Sequence, residues 1–310
     1  MSQPARIPVA VVNGTGYGGV ELLRLLRRHP AFDLVEVTAR SEAGKPVATV
    51  FPHLASLDLV FSAEVERAEV VFVALPDHGA VELVPGLLRA GRRVLDLSAG
   101  FRLRDAANYP TWYAYEHSAP DLLATAVYGL AEWSREALAG AQLVAVPGCY
   151  PTAALLAILP ALVNDLIEPD IIVDAKSGLS GAGRTLKLGS HFSEANEDTS
   201  AYSLGGHRHW PEIAQELRRH TGATPRLSFT PHLVPMTRGI LATCYATPRP
   251  GVSEERVREV YQTAYAGAPC VALSDTPPHT KWTFGSNRCY IHTTLDRLAD
   301  RLIVVSALDN

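Results

Sequence analysis

Apolar residues gather into short runs, separated by glycine turns or by stretches with helical spacing. Residues 7–12 (IPVAVV) are a β-branched run that enters a glycine-rich turn and then VELLRLLRRH, whose leucines recur on one helical face. The pattern predicts a strand, a turn and a helix. It returns at 32–40 (FDLVEVTAR), 68–76 (AEVVFVALP), the helical 81–91 (VELVPGLLRAG), 93–98 (RVLDLS) and 142–148 (QLVAVPG). Apolar strands alternating with helices are covered on both faces, so this half is expected to be α/β, a Rossmann-type doubly wound parallel sheet. Beyond Cys149 the grammar changes. A helix is expected over 152–163, a strand at 171–176 (IIVDAK), and a long polar, glycine-containing stretch from Ser177 to Gly206. Further β-like runs lie at 227–235, 239–247 and 301–308, with a helix at 253–267. This order predicts an α+β second domain with a mixed, mostly antiparallel sheet. The expected domains are 1–148, to which residues near 300–310 return, and 149–300.

Composition narrows the class. With 310 residues, 47% apolar and 19% charged, the chain is long enough to bury two cores. The net charge of −4 has no basic block behind it, which argues against a nucleic-acid or anionic-membrane surface and leaves a small-molecule substrate. The first apolar run is too short for a signal peptide, and no apolar stretch approaches the ~20 residues of a membrane span. A soluble cytoplasmic protein is expected. Cys149, Cys244, Cys270 and Cys289 are widely spaced and have no metal-type pairing with histidine, so neither a disulfide frame nor a metal site is expected.

Chemistry concentrates in three places. Gly14, Gly16 and Gly19, with Thr15, Tyr17 and Gly18 between them, fit GxGxxG directly after a strand and before a helix. There glycine permits the turn and lets the backbone approach a dinucleotide pyrophosphate at the helix N-terminus. The second strand ends in Thr38-Ala39-Arg40-Ser41, without the acidic residue that would bind a ribose 2′-hydroxyl, and Arg40 and Ser41 suit the 2′-phosphate of NADP. Cys149 stands between a strand end and a helix with Pro151 in its first turn. The positive end of a helix dipole lowers a thiol's pKa, which makes Cys149 the candidate nucleophile. Gly206-His207-Arg208-His209-Trp210-Pro211-Glu212 offers two histidines and a carboxylate for proton transfer. Ser98, Arg102, Lys176, Ser177, Arg184 and Arg238 are candidate holders of an anion, and the run 177–183 has the composition of an anion-binding loop. Each of these arginines reads equally well as a surface ion-pair partner.

The segments GYGGVEL (16–22), DLSAGFR (96–102), AVYGLAE (126–132), PGCYPTA (147–153), DAKSGLSGAGR (174–184), GHRHWPEI (206–213), PHLVPMTRGIL (231–241) and PHTK (278–281) occur in this order across nearly the whole chain. Together they resemble the N-acetyl-γ-glutamyl-phosphate reductase family of the aspartate-semialdehyde dehydrogenase-like superfamily. The resemblance implies an arginine-biosynthetic oxidoreductase that uses NADPH, attacks a small acyl-phosphate substrate with Cys149, and works as a homodimer or homotetramer. It places His207 at the acid–base position with His209 and Glu212 beside it. It also places Ser98 by the cofactor, and Arg102, Ser180, Arg184, Asn196, Glu197 and His209 along the substrate pocket. Alternatives are a carrier-linked aminoadipyl-phosphate reductase and a catalytically silent NADP-binding sensor. The chain departs from the family pattern in Asn13, which stands where a glycine is usual, in Gly100 for an aspartate, and in Asp77-His78. It also ends at Asn310, where the family continues into a helix over the cofactor.

Overall fold

The structure, a computed structural model, describes residues 5–310; residues 1–4, the start of the expected first domain, lie outside the described residues. The chain divides into two compact units, 1–147 and 148–310.

The first unit holds strands β1 (Ile7–Val12), β2 (Phe32–Thr38), β3 (Phe61–Ser62), β4 (Val70–Val73), β5 (Arg93–Asp96), β6 (Val127–Tyr128) and β7 (Leu143–Ala145). Its helices are α1 (Tyr17–Leu26), α2 (Val47–Val50), α3 (Asp77–Arg89), α4 (Asn108–Tyr113) and α5 (Ala131–Ala139). The strands form one sheet in the order β3-β2-β1-β4-β5-β7-β6, and every pair is parallel. Val9, Ala10, Val11 and Val71 are fully buried, as expected of central strands covered on both faces. The order reverses beside β1, so the glycine turn after β1 opens at the switch point where doubly wound sheets take their ligands.

The second unit contains β8 (Ile167–Ser177), β9 (Ser200–Ala201), β10 (Arg226–Leu233), β11 (Ile240–Pro248), β12 (Val271–Leu273), β13 (Cys289–Asp296) and β14 (Arg301–Leu308). Its helices are α6 (Cys149–Val163), α7 (Phe192–Ala195), α8 (Trp210–Thr221), α9 (Glu254–Ala264) and α10 (Thr280–Thr283). The sheet order is β12-β13-β14-β11-β8-β10-β9, with β8–β10 and β12–β13 parallel and the other pairs antiparallel. Residues 301–308 therefore do not return to the first unit. Their alternating pattern pairs them between β11 and β13, where Leu302 and Val304 are fully buried.

Helix α6 is apolar on every side and forms the core of this unit, packed on β8, β11 and β14 and flanked by α8 and α9. Pro160 cannot donate to the carbonyl of Leu156. The Tyr265 hydroxyl donates to that oxygen instead, while the hydroxyls of Tyr261 and Ser306 donate to Ala157 O and Ala153 O. The tyrosines support the helix where Pro160 leaves a carbonyl without its intrahelical donor, and Ser306 ties its N-terminal half to β14. On the opposite face of the sheet, Leu241, Thr243, Tyr245, Ile303 and Val305 are only half-buried. No helix among the described residues is long and apolar enough to cross a membrane.

Candidate active site

In the first unit the glycine turn is shaped by close packing. Asn13 adopts a left-handed φ of 62° and donates from Nδ2 to Ala74 O at 2.8 Å, so asparagine takes up the geometry expected of a glycine. A Cβ on Gly14 would lie 2.3 Å from Val37 Cγ2, and one on Gly19 only 2.4 Å from Asn13 O. At Gly16 the nearest group would be Asn13 Nδ2, at 3.7 Å. Gly14 and Gly19 thus close the turn against the sheet, and Gly16, the N-cap of α1 without a side-chain cap, leaves a backbone approach to the helix N-terminus. That arrangement fits a dinucleotide pyrophosphate. Thr15 is half-buried, and Tyr17 and Gly18 are exposed beside it.

At the end of β2, Arg40 and Ser41 are exposed. The acidic residues nearby are committed elsewhere. Glu36 is buried and accepts the N–H groups of Glu66, Arg67 and Ala68, and Glu42 pairs with Lys45 at 2.8 Å.

The DLSAGFR segment is a self-bonded loop. Asp96 is fully buried, receives the Ser98 N–H at 3.0 Å and its hydroxyl at 2.7 Å, and burial pushes its carboxyl pKa up to about 6. Ser98 Oγ accepts the Gly100 N–H, and Asp77 Oδ1 accepts that of Ala99. At Gly100 the loop is packed closely, since a Cβ would come 2.8 Å from Val81 Cγ2. Arg102 is buried and donates from Nε to Val146 O and from Nη2 to Leu97 O, each at 2.7 Å. The side chains of Ser98 and Arg102, placed against cofactor and substrate in the sequence reading, are engaged in holding this loop and the end of β7.

In the second unit Cys149 is the first residue of α6, half-buried, behind the extended N-cap Gly148. The Gly148 N–H donates to Glu212 Oε1 at 2.9 Å, and Glu212, in the first turn of α8, is fully buried. The first turn of α6 has no acidic residue of its own. Around this helix start lies a cage of rings. His207 packs edge-on against Tyr150, Tyr202 and Phe229 with centroids 5.8, 5.5 and 5.2 Å away, and against His209 at 4.9 Å. Tyr202 donates to the Tyr150 hydroxyl at 3.2 Å, and Tyr150 donates to His232 O at the same distance.

His207 is fixed in its tautomer. The His209 N–H donates to His207 Nδ1 at 3.0 Å, so the neutral ring carries its proton on Nε2. Burial in the cage, with the Arg208 guanidinium next door, pushes its pKa down to about 4. At neutral pH it is a hydrogen-bond donor through Nε2.

The run 177–183 does not form an anion-binding loop. The N–H groups of Gly178, Leu179 and Ser180 donate to the carbonyls of Gly239, Met236 and Thr237 on the neighbouring turn, and that of Gly181 closes back on Gly178 O, so these amides are already paired. Ser180 Oγ donates to Asn310 Oδ1 at 3.1 Å. Arg184, Asn196 and Glu197 stand on the exposed segment that follows, Glu197 with a left-handed φ of 62°. Sequence reasoning passed over Tyr150 and Tyr202. Tyr150 lies inside the quoted PGCYPTA motif, but nothing around Tyr202 in the sequence marks it.

Two profiles of the semialdehyde dehydrogenase family match the chain: its NAD binding domain over residues 8–141 and its dimerisation domain over 149–310. An N-acetyl-gamma-glutamyl-phosphate reductase of Dehalococcoides mccartyi is 52% identical over 97% of this chain and 89% of its own length. One of Pelotomaculum thermopropionicum is 48% identical over 98% and 90%. The chain belongs to the N-acetyl-gamma-glutamyl-phosphate reductase family. As a member of that family it is an oxidoreductase with a nicotinamide-dinucleotide domain, and the turn at Gly14–Gly19 lies within the residues that domain's profile matches. The fold is also that of aspartate semialdehyde dehydrogenase II from Vibrio cholerae, with a TM-score of 0.73 at 15% identity over 99% of this chain and 94% of that one. Aspartate semialdehyde dehydrogenase with NADP from Candida albicans gives 0.70 at 15% identity over 98% and 94%. The reductase family thus shares its architecture with enzymes of little sequence identity, so the fold alone does not set the chemistry.

Proposed function

We propose that this chain reduces N-acetyl-γ-glutamyl phosphate to N-acetylglutamate 5-semialdehyde and phosphate with NADPH, through a thioester on Cys149, as a step of arginine biosynthesis. The observation that carries the mechanism is a half-buried cysteine at the N-terminus of a buried helix, with a neutral histidine of fixed tautomer in the adjoining ring cage. Cys149 Sγ attacks the acyl carbon as a thiolate, the carbon–oxygen bond to phosphate breaks, and phosphate leaves with the electron pair. Bound NADPH supplies the hydride that brings the thioester carbon to the aldehyde level. The oxygen that becomes anionic needs a donor, which His207 Nε2–H provides. When the carbon–sulfur bond then breaks, the pair returns to Sγ and the thiolate is regenerated, so reduction needs a hydrogen bond at the oxygen and no net proton from His207. Tyr150 and Tyr202 hold the imidazole in place.

Gly14, Gly16 and Gly19 would hold the pyrophosphate and Arg40 with Ser41 the 2′-phosphate. The half-buried apolar face of the second sheet is the surface by which two copies would associate, in keeping with the dimerisation domain this half matches.

The test is phosphate-dependent reduction of NADP by N-acetylglutamate semialdehyde, followed by nicotinamide absorbance. Turnover that needs phosphate and disappears on thiol alkylation is expected, with Arg40→Asp weakening NADP at least about tenfold and NAD little. Turnover that persists after complete alkylation would refute the thioester route, and equal effects on both cofactors would refute the 2′-phosphate assignment.

A further inference from the structure

Gly148 is the residue bonded to the N-terminal side of Cys149, and glycine has the widest choice of backbone conformation of any residue type. Its direction decides where Cys149 begins. The conformation it takes, with φ −68° and ψ 158°, is held from both sides. Its carbonyl accepts the Thr152 N–H at 2.9 Å and the Thr152 hydroxyl at 2.8 Å, both from within α6. Gly148 is buried, so its own N–H needs a partner as well. Helix α6 supplies none, because the first turn contains no acidic residue and the N-cap has no side chain. The partner comes from α8: Glu212 Oε1, 64 positions further along the chain, accepts the N–H at 2.9 Å.

The same carboxyl group belongs to the segment that carries the histidine. Glu212 is the third residue of α8 and is fully buried. The turn in front of it is closed by local bonds. The His209 N–H donates to His207 Nδ1 at 3.0 Å, the Trp210 N–H to His207 O at 2.9 Å, and the Ile213 N–H to His209 O at 3.0 Å. Trp210 Nε1 anchors the helix start to Leu227 O of β10, also at 3.0 Å. His207 is therefore tied to the start of α8, and the start of α8 is tied to Gly148 through one side-chain oxygen. A single hydrogen bond bridges the two short segments that present the thiol and the imidazole.

We propose that Glu212 is a positioning residue: by accepting the Gly148 N–H it sets the backbone direction from which Cys149 leaves, and so the place of the thiol relative to His207. The proposal rests on the reading of Cys149 and His207 as the reacting pair. Glu212 acts through the Gly148 backbone, and the property that matters is the reach of its oxygen, not its acidity.

Two variants separate reach from acidity. Glu212→Gln keeps an oxygen acceptor at the same distance and removes the acid, whereas Glu212→Asp keeps the acid and withdraws the oxygen by one carbon–carbon bond. The experiment compares both, and Glu212→Ala, with the full-length wild type in the phosphate-dependent assay, with melting temperature and NADP affinity alongside. Displacement of a reacting group by about an ångström costs on the order of a hundredfold, so Glu212→Asp and Glu212→Ala are expected to lower kcat by about ten- to a hundredfold with NADP affinity unchanged. Glu212→Gln should recover most of that loss. Iodoacetamide alkylation of Cys149, read on its own peptide by mass spectrometry, should slow in the same order, because a displaced thiol loses the field of the helix start. Equal rates in Glu212→Gln and Glu212→Asp, or a faster Glu212→Asp, would overturn the proposal. Should Glu212→Ala fail to fold, the comparison of glutamine with aspartate stands without it. A wild type without turnover would count against the proposed function, and alkylation, which needs no substrate, would still decide the role of Glu212.

Discussion

His207 shows how much of the site's behaviour is set within a few residues. The imidazole is 9% exposed, bonded at Nδ1 by the His209 N–H and held among aromatic rings, which leaves one donor and no free acceptor on the neutral ring. Two consequences can be measured. His207→Ala should lose about two to three orders of magnitude in kcat, the usual cost of removing an oxyanion donor. The acid limb of the kcat–pH profile should not report a group titrating near 6.5. For stability, the folded-state pKa lies at about 4, below the unfolded value of 6.5, so the unfolded chain takes up this proton first. Stability should be complete above pH 6.5 and fall as pH drops towards 4, and His207→Gln should flatten that part of the denaturation profile. A profile unchanged by the substitution would mean that His207 is not the group responsible. The residue types and spacing of GHRHWPE pointed to proton chemistry, but the tautomer depends on the backbone of His209 and the low pKa on Tyr150, Tyr202 and Phe229. No local pattern contains that information.

At the scale of elements, the strand–turn–helix at 7–26 was legible because apolar periodicity and glycine spacing agree there. The turn's internal logic was not. Gly14, Gly16 and Gly19 look equivalent in a motif, yet the first and last are imposed by packing and the middle one is open. Gly19→Ala should therefore unfold or strongly destabilise the first unit, because its Cβ would stand 2.4 Å from a carbonyl oxygen. Gly16→Ala should melt near the wild type and lose NADP affinity. Calorimetry with cofactor titration separates the two, and equal melting temperatures for both variants would contradict this division. The 177–183 stretch failed in the opposite sense. Its glycines resemble an anion loop in composition, but the amides bond the 236–239 turn, a contact between segments some sixty residues apart.

For the whole molecule, a doubly wound sheet followed by a mixed sheet was readable from the change in pattern after Cys149. The destination of residues 301–308 was not, since an alternating strand carries no label for the sheet it joins; only the register with β11 and β13 decides it. The same alternation leaves Tyr245 and Ile303 half-buried on the face away from α6. A charge there should oppose self-association. Tyr245→Arg is expected to reduce the oligomer's mass in sedimentation to that of a smaller species while the chain stays folded. An unchanged mass would show that copies meet elsewhere.

A thioester on Cys149 is the step on which the proposed chemistry depends. It is tested most directly by mixing the protein with N-acetyl-γ-glutamyl phosphate in the absence of NADPH, quenching in acid and mapping the cysteine peptides by mass spectrometry. The expected result is an N-acetylglutamyl group on the Cys149 peptide, none on those of Cys244, Cys270 or Cys289, and its disappearance when NADPH is added before the quench. Acylation of another cysteine, or an unmodified Cys149 in protein that turns over, would contradict it.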